Sequence, residues 1–167
     1  VKFSRDDNPV FVVLNKMSLG IKGEVPEDSY TVPIGEASIV RPGENFTIVT
    51  YSRMVHESVK AAEALSSLGV ETEVVDLRSL QPLDTNVVIE SVKRTHRAMV
   101  VHEAVRFGGM GGEIAAQIQE LAFDYLDAPV ARVGAPFSPV PFSPQLEQSY
   151  IPNADKIVAE ARTLLDV

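Results

Sequence analysis

Apolar residues in this chain keep changing their spacing, and each change marks an element. The run "NPVFVVL" is short, β-branched and bounded by Asn-Pro, which predicts a buried strand over residues 9–14. From Asn15 to Pro33 the pattern dissolves into Gly, Pro and acids, the composition of a linker. "EASIVRPGENFTIVTY" then predicts two antiparallel strands joined by a turn over residues 41–45. Helical spacing follows in "RMVHESVKAAEALSSLG", with Val55, Val59, Ala62 and Leu65 on one face and Gly69 closing it.

Thereafter strand and helix alternate. "VETEVVDL" reads as a strand, and "DTNVVIESVKRT" as a helix capped by Asp84 or Thr85. "RAMVVHEAV" is apolar through its centre, as a strand covered on both faces should be. "GGEIAAQIQELAFDYLD" is the next helix, "PVARVG" the next strand, and "NADKIVAEARTLLDV" a last helix. Such alternation implies parallel strands, right-handed crossovers and helices on both faces. The expected fold is a three-layer α/β/α domain over residues 36–167. Its sheet is mixed and mostly parallel, with one antiparallel strand at the start.

Length and composition narrow the partners. A chain of 167 residues can bury one sizeable core, and 45% apolar with 23% charged residues is ordinary for a globular domain. No apolar run approaches the ~20 residues that cross a bilayer. With no cysteine, disulfides and thiolate metal sites are excluded. A net charge of −8 argues against nucleic acid and favours a basic partner. The abrupt start at Val1 reads as a piece of a longer polypeptide, with a processed complete protein as the alternative.

Candidate chemistry is sparse. "HESVK" (56–60) and "HEAVR" (102–106) begin like a zinc helix but put a base where the second His ligand must stand. Ser52 and His56 can approach across a helix start, yet no third member or oxyanion loop accompanies them. Structural roles are therefore preferred for His56, His96 and His102. "FGGMGGE" (107–113) opens a helix where amides can hold an anion, but it matches neither phosphate-binding glycine motif. Close packing by the glycines is the preferred reading, because Glu113 puts a negative charge in the first turn. "PFSPVPFSP" (136–144) is either a polyproline ligand or, as preferred, a stiff connector with Phe137 and Phe142 packed inward. No catalytic, cofactor-binding or metal-binding residue is assigned.

Read in order, "TIVTYSRMVHESVKAAEAL", "VETEVVDLRSLQPLD", "VVHEAVRFGGMGGEIAAQI", "FDYLDAPVARV" and "PVPFSPQLEQSYIPNADKIV" resemble one family throughout. It is the C-terminal half of the β subunit of thiamine-diphosphate-dependent 2-oxo acid dehydrogenases, shared by pyruvate, branched-chain and acetoin dehydrogenases. "GEVPEDSYTVPIGEASIV" fits as well, while "LNKMSLGIKG" departs from the family's more acidic and aromatic stretch. The resemblance implies a transketolase C-terminal-like domain over residues 36–167. It makes residues 1–35 the last strand of an absent N-terminal domain plus a linker. It also implies thiamine diphosphate and magnesium in the full assembly, with none bound by this part. The implied partners are an α subunit, a second β subunit and the subunit-binding domain of the acyltransferase core. The implied compartment is a bacterial cytoplasm or a mitochondrial matrix.

Two acids bring the resemblance down to single residues. Asp124 and Asp127 are expected in the last turn of the helix before Pro129, where the helix dipole disfavours carboxylates. In the family, an acid at the position of Asp127 and the terminal carboxylate, here on Val167, receive basic groups of the subunit-binding domain. The alternative is that Asp127 only ends the helix through an Asx-type turn. Two other functions stay open: a stand-alone acidic module for a basic partner, and a small enzyme using His102 and Glu103 beside the glycine loop.

Overall fold

Strand β2, Phe46–Thr50, is buried at every position, so it needs a strand on each side and a helical layer on each face. The structure, a computed structural model, describes residues 6–166 and supplies both. β3 (Thr72–Asp76) and β4 (Ala98–Val105) run parallel to β2 on either side, and β5 (Ala131–Ala135) runs parallel to β4. β1 (Ser38–Arg41) pairs antiparallel with β3, giving the order β1-β3-β2-β4-β5. The expected mixed, mostly parallel sheet is present.

The expected turn between the first two strands does more than reverse the chain. β1 and β2 run in opposite directions, but β3 lies between them. The connection crosses the start of β3. Amides of Glu44 and Asn45 both donate to the Glu71 carbonyl, at 3.0 and 2.9 Å, and Asn45 Oδ1 accepts from the Glu71 amide at 2.8 Å. Arg41 pairs with Glu71 at 2.8 Å. Gly43 lies against the backbone of Thr72 and Glu73, where a side chain has no room.

After β2 the chain crosses to β3 through α1 (Met54–Ser66), then doubles back past β2 to β4 through α2 (Thr85–Thr95). Reversing the direction of travel with right-handed crossovers puts these helices on opposite faces. α1 shares its face with α5 (Ala154–Leu165), over Phe46, Ile48, Met99, Val101 and Val133. α2 shares the other face with α3 (Met110–Ala122), over Val49, Val75 and Val100. α1 buries Met54, Ser58, Ala61, Ala62 and Leu65, so its inner face is rotated from the expected one; Val55 and Val59 are only half-buried. Asp84 caps α2 through the Val87 amide, and Asn153 caps α5 through the Lys156 amide. Among the described residues, no helix is long and apolar enough to cross a membrane.

Two expectations need correction. Residues 9–14 do not join this sheet as a buried strand and are exposed, Phe11 at 95%. Phe137 and Phe142 do not pack inward: they are 74% and 103% exposed, and Phe137 meets Phe107 edge-on at 5.0 Å. The connector is tied instead by Tyr150, whose hydroxyl donates to the Ser138 carbonyl at 2.9 Å. Tyr150 ends an unexpected short helix, α4 (Pro144–Tyr150), which begins with proline at a position that needs no amide donor.

The crossing over β3 gives the first prediction. Gly43→Ala should lower unfolding stability by about 1–3 kcal/mol, the range for forcing atoms into filled space. Urea melts measure it, and an unchanged midpoint would mean the turn can shift away from β3.

Candidate functional site

A small polar structure at the amino-terminal end of the sheet positions the two acids. α3 stops at Ala122, earlier than expected, and a single 3-10 turn spans Phe123–Tyr125. Asp124 therefore lies in that turn and Asp127 two residues beyond it, so neither occupies the last turn of α3. Asp127 is exposed, and its carboxylate makes no hydrogen bond or ion pair among the described residues. The Asx-type bond of the alternative reading is therefore not formed. Its main-chain amide is engaged, donating to the His96 carbonyl at 2.8 Å.

His96 belongs to the end of α2. It adopts the left-handed conformation, φ 60°, and its amide caps the helix on the Val92 carbonyl at 2.8 Å. Its Nδ1 sits 2.9 Å from the Tyr125 carbonyl. Lys93, one turn back, lies over the Tyr125 ring with its ammonium 5.4 Å from the centroid and bonds Glu90 at 2.8 Å. Phe123 and Tyr125 leave apolar surface exposed beside the acids. Val167 lies outside the described residues. α5, which leads to it, begins with the Ala154 amide on the Glu57 carboxylate in the first turn of α1. α5 thus runs beside α1 and returns to the same end of the sheet that α3 reaches.

At the opposite, carboxyl end lie the residues that attracted catalytic readings. Ser52 has φ 57° and His56 follows a turn later in α1, but no hydrogen bond joins them. Asp76 is the nearer acid. Burial pushes its carboxyl up, opposed by the Arg78 amide and by the charges of Arg78 and His56. Glu103 accepts from the Asn15 side chain at 3.0 Å, so the linker touches this end of the sheet.

His102 is buried completely, its ring stacked parallel to Tyr51 at 6.4 Å. A Cβ on Gly109, Gly111 or Gly134 would run into its ring. Close packing by the glycines is the arrangement found, and the object they pack against is this imidazole. Neither ring nitrogen has a hydrogen-bond partner within normal geometry among the described residues. Burial pushes its pKa below the usual 6.5, the nearby Ala104 backbone opposing and the Arg132 charge assisting. A substrate has no route to a sealed ring, which removes the small-enzyme reading of His102 and Glu103.

The sign of the resulting pH effect is fixed. The folded state holds His102 neutral, whereas the unfolded state takes up a proton below about pH 6.5. This contribution to stability is complete above the unfolded value and disappears as pH falls toward the depressed folded value. Unfolding free energies should therefore decline between pH 7 and 5.5, and His102→Leu should flatten that decline. A parallel decline in both proteins would assign it to other groups.

Comparisons with known proteins agree with this architecture. The family model for the transketolase C-terminal domain matches residues 35–157. The chain is 48% identical over 158 residues to the β subunit of acetoin:2,6-dichlorophenolindophenol oxidoreductase from Cupriavidus necator, covering 95% of this chain and 47% of that protein. It is 43% identical over 163 residues to the pyruvate dehydrogenase E1 component β subunit of Bacillus subtilis, covering 97% and 50%. A split-gene transketolase solved as an inactive β4 tetramer superposes with a TM-score of 0.71 at 26% identity, covering 86% of this chain and 46% of that one. The chain spans about half the length of the curated relatives it matches. The match to the transketolase C-terminal domain model over residues 35–157, most of the chain, shows that the chain belongs to the transketolase C-terminal domain family.

Proposed function

We propose that this chain is the C-terminal part of the β subunit of a thiamine-diphosphate-dependent 2-oxo acid or acetoin dehydrogenase, and that it serves assembly and docking. In this reading residues 36–167 are the docking domain, and residues 1–35 are the last strand of a preceding domain with its linker. The exposed apolar side chains of residues 10–14 support that division, since a covering domain would bury them. The α subunit and a second β subunit complete the assembly, in a bacterial cytoplasm or a mitochondrial matrix.

Asp127 is the observation that carries the docking role. It is an exposed carboxylate without a partner among the described residues, at the end of the sheet where α5 also finishes. A basic group of the acyltransferase's subunit-binding domain meets Asp127 and the terminal carboxylate of Val167 there in charge-assisted hydrogen bonds. The net charge of −8 adds long-range attraction to such a partner.

Decarboxylation and acyl transfer to a lipoyl arm belong to the full assembly in this reading. In this reading thiamine diphosphate and magnesium are held by the rest of the assembly. Among the described residues, no three His, Asp or Glu side chains are grouped to hold a metal ion. The glycine turn before α3 is filled by His102, which leaves no cradle for a diphosphate.

Two measurements test the proposal. Asp127→Lys should weaken binding of the subunit-binding domain by about 2 kcal/mol or more, partly through slower association. A calorimetric titration with wild-type affinity would count against Asp127. The chain alone, given thiamine diphosphate and magnesium, should turn over neither 2-oxo acids nor acetoin, and any turnover would refute the division of labour.

A further inference from the structure

We propose that His96 is a positioning residue for docking, holding the segment from Tyr125 to Asp127 at both ends so that the Asp127 carboxylate is presented in one place; this rests on the docking reading above. Asp127 lies in an exposed connection between α3 and β5, and among the described residues its side chain has no hydrogen bond or ion pair to fix it. An unrestrained acid there would have to be ordered when the partner arrives, which weakens binding.

His96 removes much of that freedom. Its carbonyl takes the Asp127 amide at 2.8 Å and its Nδ1 bonds the Tyr125 carbonyl at 2.9 Å, so the segment 125–127 is pinned at both ends by one residue. Both contacts depend on the left-handed turn at His96, φ 60°, which points the carbonyl and the ring toward the 3-10 turn while the amide still closes α2. A right-handed residue would continue α2 and leave both acceptors of the clasp unfilled. A non-glycine residue at this φ is uncommon, and glycine is the usual choice at such a cap. Here the imidazole supplies a bond that glycine lacks. Lys93 braces the same turn from one α2 turn earlier, over the Tyr125 ring.

His96→Gly and His96→Val separate the two contacts. Glycine keeps the left-handed turn, and with it the carbonyl bond to Asp127, but loses the ring bond. Valine resists φ 60° and should lose both. With the subunit-binding domain of the acyltransferase as probe, affinity should fall roughly two- to tenfold in the glycine variant and further in the valine variant. The loss should appear as faster dissociation. Association and its salt dependence should stay near wild type, because the carboxylate is still there. Asp127→Asn is the contrasting control, in which association itself slows. In the free chain, hydrogen exchange at the Asp127 amide should speed up in His96→Val.

The outcomes are distinct. If the wild-type chain fails to bind, the docking reading falls and this proposal with it. If it binds and Asp127→Asn weakens it, while both His96 variants dissociate at the wild-type rate, docking stands and the positioning role is overturned. A lowered urea midpoint with unchanged dissociation would likewise overturn it, leaving His96 as a helix cap alone.

Discussion

Glu73 carries a carboxylate into the layer between β3 and α2, where the residue is 3% exposed, and a charge placed there must be paired or given up. Arg94 in the last turn of α2 answers it with two bonds, at 2.7 and 2.9 Å, and the Ser91 hydroxyl donates to it from one turn earlier. Ser91 in turn touches the Thr47 hydroxyl at 2.7 Å, and Thr95 touches it at 2.6 Å. Among the described residues, none of the buried hydroxyl and carboxylate oxygens of this knot is left without a partner, the condition under which a buried network specifies an arrangement. It ties the final two turns of α2 to β2 and β3 together. Since α2 cannot slide, His96 and the start of β4 are placed as well, and the Thr47 amide closes on the Arg97 carbonyl at 2.9 Å. The position of the Asp127 segment follows from a carboxylate two strands away.

The two ends of the sheet differ in what they expose. In open α/β sheets ligands commonly bind beyond the carboxyl ends of the strands, near the point where strand order reverses. Here that end holds Ser52 and Arg78 in left-handed turns, a half-buried Asp76 and a sealed His102. Its glycines are consumed in bringing α3 onto an imidazole. The amino end has exposed acids, exposed aromatic surface and a returning α5. A binding face for another protein needs accessible, unpartnered groups on a rigid base, and the amino end offers them.

Much of the architecture was legible because central strands and amphipathic helices leave strong periodic traces. "AMVV" announces a strand covered on both faces, and Asp84 announces a helix start through its own side-chain bond. What escaped depends on neighbours distant in sequence. Nothing local in "VRPGENF" tells a hairpin from a crossing over a third strand; Gly43 fits both, and only the Glu71 backbone decides. The face of α1 was misjudged because Ser58, a polar residue, sits buried at its centre. Phe137 and Phe142 read as core from composition, although proline-rich backbone between β5 and α4 has no interior to turn them toward. At the candidate site the sequence carried Asp127 only through a family likeness. His96 was dismissed as structural, since a left-handed His leaves no signature in spacing.

The placement of two acids near a helix end also has a physical account. A carboxylate in the last turn of a helix costs about 0.3–1 kcal/mol, and the effect fades beyond that turn. α3 avoids much of it by stopping at Ala122 and tightening into a 3-10 turn, which moves Asp127 five residues past the α-helix. The same region receives the end of α2, whose own exposed carbonyls would disfavour an acid. Two carbonyls there are occupied, Val92 by the His96 amide and His96 by the Asp127 amide, while Lys93 and Arg94 sit in that last turn. The peptide chain thus neutralises the helix ends with its own donors and leaves the Asp127 carboxylate unused. An acid that were only a helix terminator would spend its oxygens on nearby amides; this one keeps them facing solvent, where a cation from another protein can take them.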